Sequence, residues 1–152
     1  MTEPAMAPAR PAAMAGRAEA YAGVAADASA LPADKRFIAE VFAARIAERV
    51  SAKAAGRALK VAFRLDPALG GENARVAVRS GAAEIAGARA RALFYGAAKL
   101  MGAMRWSGEG FTLADCTLEV NPAKPVRFAY WARHFHNWYH MATAEELKRY
   151  AE

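Results

Sequence analysis

The chain has one cysteine, Cys116, so no internal disulfide can form and a disulfide-stapled fold is excluded. No apolar run reaches membrane-spanning length, which argues against a helical span and a membrane partner. The N-terminus (M-T-E-P-A-M-A-P-A-R-P-A-A-M-A-G-R) has no secretory h-region, so a cytoplasmic location is expected. There is no block of basic residues either. The 21 Lys and Arg outnumber the 15 Asp and Glu, giving +6, but they are spread along the chain. That pattern allows a weak preference for anions and does not indicate a dedicated nucleic-acid surface. Heptads and internal repeats are also missing. Hydrophobic residues make up 55%, much of it alanine, which buries little area. The larger side chains cluster between Phe37 and Leu147, so the core is expected there. Cys116, in the strand-like stretch T-L-A-D-C-T-L-E-V, reads as a small buried hydrophobe.

Pro4, Pro8 and Pro11 keep the first stretch irregular, and residues 1–30 are expected to be a disordered or loosely held leader. Within it, Glu19 to Ala30 is compatible with either helix or extended chain. After Pro32, Asp34 is a candidate N-cap. Phe37, Ile38, Val41, Phe42, Ile46 and Val50 then recur at helical spacing, and Gly56 ends or follows that helix. The period changes at Leu59, Val61, Phe63 and Leu65, which alternate with Lys60, Ala62 and Arg64 as a half-buried strand does. Ala74–Arg79 and Ala82–Ala86 are two more strands, joined by Ser80-Gly81 into a hairpin. Ala88 to Arg105 returns to helical spacing. Its Gly96-Ala97-Ala98 reads as a place where helix and sheet approach closely. Trp106 to Gly110 reads as a turn, with Trp106 capping the small core. Phe111–Leu113 and Thr117–Val120 are short strands, and Pro122 and Pro125 form a stiff connector. The fold class is α+β: a small sheet with an antiparallel hairpin, packed by two helices.

The tail begins something else. Arg127 to Phe135 (R-F-A-Y-W-A-R-H-F) reads as a strand, His136 to Met141 as an aromatic, polar turn, and Thr143 opens a helix. This is the first half of a βα unit, which needs a parallel strand to pair with. The chain therefore reads as the front of a larger enzyme.

The segment A-E-I-A-G-A-R-A-R-A-L-F-Y-G-A-A-K-L-M resembles part of the small N-terminal α/β domain of several glycoside hydrolases, among them bacterial β-hexosaminidases and α-glucuronidases. The match falls on Leu93, Phe94, Tyr95, Gly96, Ala97 and Leu100. A connector with two prolines then leads to Arg127, which resembles the arginine opening the first strand of those enzymes' (β/α)₈ barrel. Phe128 stands where β-hexosaminidases usually carry glycine. The resemblance implies an accessory domain over residues 31–121, followed over 122–152 by a linker and the first strand and helix of a truncated TIM barrel.

Glycosidases of this kind need two carboxylates flanking the scissile bond, and barrel enzymes place them at strand ends. Arg127 to Phe135 contains no acid. Glu145 and Glu146 follow, but Thr143-x-x-Glu146 has the spacing of a capping box, and Glu145 suits the helix dipole. The catalytic pair is thus expected outside this chain, which alone is expected to be non-catalytic. Arg133, His134, His136, Asn137 and Trp138 are the candidate sugar-binding residues. Their side chains supply a donor fork, imidazoles, an amide and an indole that could stack on a pyranose face. His134-x-His136-x-x-x-His140 also invites a metal reading, but the pair His136 and His140 precedes the helix cap and lacks helical i, i+4 geometry; no metal or cofactor is expected. The expected partners are the rest of the barrel and, in the longer enzyme, a carbohydrate. A different class of reading, from charge alone, is a free-standing basic module that binds an anionic partner such as nucleic acid.

Overall fold

The structure, a computed structural model, describes residues 18–123 and 143–146. The chain divides into two compact units, Met1–Asn121 and Pro122–Glu152. In the first, β1 (Glu19–Tyr21) and β2 (Gly23–Asp27) precede α1 (Phe37–Ala47), β3 (Ala58–Leu65), β4 (Ala74–Arg79) and β5 (Ala82–Gly87). Next come α2 (Ala90–Ala103), β6 (Arg105–Ser107), β7 (Gly110–Leu113) and β8 (Cys116–Val120). Short 3-10 turns cover Ala33–Lys35 and Pro67–Leu69.

The period-two pattern decides the main sheet. Leu59, Val61 and Phe63 of β3 are buried while Lys60 and Ala62 between them are exposed. Val76 and Val78 of β4, Ile85 of β5, and Cys116 and Leu118 of β8 continue that buried face. Five strands pair in the order β2-β3-β5-β4-β8. The β2–β3 and β3–β5 pairings are parallel; β5–β4 and β4–β8 are antiparallel. The hairpin between β4 and β5 turns on Ser80 (φ 48°) and Gly81 (φ 82°), two consecutive positive φ values that match the twist of the strands they join.

Both helices cover one face of this sheet. α1 buries Ile38, Ala39, Phe42 and Ile46, with Phe42 edge-on to Phe63 at 5.6 Å between ring centroids. α2 buries Ala92, Leu93, Gly96, Ala97 and Leu100. Each fully buried leucine, isoleucine or phenylalanine here is worth about 1.5–3 kcal/mol relative to exposure, so this layer carries the stability of the unit. Neither helix packs on the opposite face of the sheet. A three-stranded sheet, β1-β7-β6, adjoins the core through Tyr21, Phe111 and Leu113.

The α+β class expected from the periods holds, with two sheets in place of one. Three local expectations are corrected. Residues 19–27, expected within the loosely held leader, form β1 and β2, and Tyr21 joins the core. Asp34 is not the cap of α1. It lies in the 3-10 turn beside Lys35, and α1 begins at Phe37 without a side-chain cap. Trp106, expected in a turn, belongs to β6, and the turn narrows to Gly108 and Glu109. The expected strand over Arg127–Phe135, and with it the barrel opening, lies outside the described residues. No helix among the described residues is long and apolar enough to cross a membrane.

Candidate functional site

The sugar-binding candidates Arg133, His134, His136, Asn137 and Trp138 all lie outside the described residues, as does His140. Just beyond them, residues 143–146 form the capping box that the spacing announced. Thr143 donates its backbone N–H to Oε2 of Glu146 at 2.7 Å, and the Thr143 hydroxyl donates to the same oxygen at 3.0 Å. In return the Glu146 N–H donates to Thr143 Oγ1 at 3.3 Å. These bonds, the backbone one foremost, hold the Glu146 carboxyl below the usual glutamate range. Glu146 is thus committed to the helix start and is poorly suited to hold a catalytic proton near neutrality.

Within the first unit, acids and arginines meet on the open face of the main sheet. Arg75 and Glu119 oppose each other directly across β4 and β8, with Arg75 Nε donating to Oε1 at 2.7 Å. Arg64 reaches both Glu84 on β5 and Asp66, each at 3.0 Å. Arg79 donates to the carbonyls of Val78 and Cys116 at 2.7 and 3.0 Å and to the Thr117 hydroxyl at 2.8 Å, tying β4 to β8. Alanines fill the gaps: Ala62, Ala77, Ala82 and Ala86 occupy the same face. Such exposed pairs add little stability one by one, and they leave the face mixed in sign rather than basic.

The small sheet carries an aromatic corner that sequence reasoning saw only in part. Tyr21 stacks on Phe111 at 5.5 Å, and Trp106 leans on the same ring at 5.3 Å. The Arg57 guanidinium lies over Tyr21 at 4.9 Å, and that of Arg49 lies over Trp106 at 5.3 Å. Glu19 accepts a hydrogen bond from the Tyr21 hydroxyl at 2.8 Å and pairs with Arg57. Burial, then the neighbouring Glu19, pushes the Tyr21 phenol above its ordinary pKa. The two arginines are the residues that sequence reasoning missed. Each meets its ring across a long stretch of chain, and no local spacing signals such a meeting. Both ring faces are occupied by arginine, so the corner serves as a clamp that pins β1 rather than as a sugar platform. A shallow hollow of about 210 Å³ beside it is rimmed by Ser107, Glu109 and Thr112.

Two further hollows, of about 400 and 430 Å³, open between α1 and β2. The first is lined by Gly23, Val24, Ala43, Ile46, Ala47 and Val50 among others, the second by Ala26, Ala28, Ser29, Arg36, Ala39, Glu40 and Ala43. Alanine makes up about half of their walls, and the charged groups there are Arg36 and Glu40 of the second hollow. The thiol of Cys116 is buried, and burial raises its pKa, which makes it inert rather than nucleophilic. No group of three or more histidine, cysteine, aspartate or glutamate side chains able to hold a metal ion occurs among the described residues.

The chain matches no family model and no curated protein. Among solved structures it is similar to a GH20 exo β-N-acetylglucosaminidase from Vibrio harveyi in complex with N-acetylglucosamine. The TM-score is 0.49 and the identity 12%, over 71% of this chain and 17% of that one. An inactive mutant of a GH20 exo β-N-acetylglucosaminidase from the same organism gives a TM-score of 0.48 and 15% identity over the same shares. The chain thus spans about a sixth of the length of these neighbours, and a likeness this distant assigns it no family, activity or substrate.

Proposed function

We propose that residues 31–121, with β1 and β2 now added in front, form an accessory domain of a glycoside hydrolase. The domain is non-catalytic and supports a barrel whose first strand is Arg127–Phe135. The observation that carries this reading is the β5–α2 unit. The L-F-Y-G-A element resembles one found in glycoside hydrolase N-terminal domains, where a strand runs into a helix bearing it. Here β5 leads into α2 within a few residues, and the helix buries Leu93, Gly96, Ala97 and Leu100. Leu93, Gly96 and Ala97 of the element thus do a packing job. The mixed-sign pairs on the open sheet face favour this reading over a basic binding module. In the longer enzyme the sugar site at the end of the first barrel strand would draw on Arg133, His134, His136, Asn137 and Trp138, with Arg133 on one side of the strand and His134 and His136 on the other, so that only one of those two sets faces it, and the two carboxylates would come from later strands.

The test is to follow the reading frame past Glu152 and assay its product. Seven further βα units with acids at two strand ends, and hydrolysis of aryl glycosides by the longer protein, are expected. In that protein Arg133→Ala should raise KM while leaving the melting temperature unchanged. A frame that yields no such units, together with salt-sensitive binding of this chain to DNA or RNA, would overturn the proposal in favour of a basic module.

A further inference from the structure

We draw no further inference here: the strongest candidate, the apolar surface patch where the exposed Phe37 of α1 leans on the half-buried Phe94 of α2 at 6.0 Å between ring centroids, carries none, because nothing in the structure shows what covers it.

Discussion

A Cβ placed on Gly96 would sit 2.6 Å from Cγ2 of Ile85, a side chain with no exposed surface and nowhere to move. One turn and a half further along the same helix, a Cβ on Gly102 would meet nothing within 4 Å. The two glycines look alike in sequence, and both cost the helix about 1 kcal/mol relative to alanine. Their substitution should nevertheless have opposite signs. Gly102→Ala should stabilise by up to about 1 kcal/mol, because only the propensity term changes. Gly96→Ala should destabilise by a net 1–2 kcal/mol or so, because overpacking a rigid site outweighs that gain. Paired urea melts of the two variants decide the matter, and two shifts of the same sign would refute it. The close approach at Gly96 was legible in the sequence because Gly96 and Ala97 fall between Leu93 and Leu100 on the apolar face of a helical period, although Ala98, read as part of the same approach, is exposed. The Arg57–Tyr21 and Arg49–Trp106 contacts were not, since a cation over a ring leaves no mark on the spacing of either residue.

At the level of elements, the strongly periodic segments were legible, and so was the alanine-rich hairpin of β4 and β5 through its Ser80-Gly81 turn, but the front segment that became β2 was not. Leu59-Val61-Phe63 and Ile38-Phe42-Ile46 each fit only one period, and both became the expected strand and helix. Gly23-Val24-Ala25-Ala26-Asp27 fits neither. Its strand character comes from pairing in parallel with β3, a partner more than thirty residues later that local pattern cannot see. Asp34 failed as a cap for a related reason: Pro32 admits a 3-10 turn first, and that turn uses the aspartate before α1 starts. The capping box at Thr143 succeeded because its two partners lie three residues apart and need nothing from elsewhere. It carries a pH prediction. The folded-state pKa of Glu146 is depressed, so the cap's contribution is fully present above the ordinary glutamate pKa near 4.3 and is lost as pH falls through the lower folded value. The Thr143 amide resonance, followed by NMR, should titrate with a midpoint below that of a free glutamate, and Glu146→Gln should abolish the titration. A midpoint at the free value would mean that the reciprocal bonds do not persist in solution.

At the scale of the whole molecule, the main hydrophobic cluster runs, among the described residues, from Tyr21 to Leu118, within the first of the two compact units. The sequence placed the bulk of that core but put its front edge near residue 31, because Tyr21 stands alone among small residues and announces no period. The structure gives Tyr21 a stacked partner in Phe111, a guanidinium cover from Arg57, and only 4% exposure. Two fragments therefore separate the boundaries. Residues 18–121 should unfold in one cooperative transition, with a urea midpoint close to that of the full chain. Residues 31–121 lack β1 and β2, which strips the edge from β3 beside Leu59 and Val61 and removes the ring that packs on Phe111. Burying a side chain of that size is worth roughly 2–3 kcal/mol before any strand pairing is counted, a large share of what an ordinary domain has to spare. The shorter fragment should accordingly melt with a much lower midpoint and a reduced m-value, or show no cooperative transition. Equal midpoints for the two would mean that β1 and β2 are an ornament on a core complete without them.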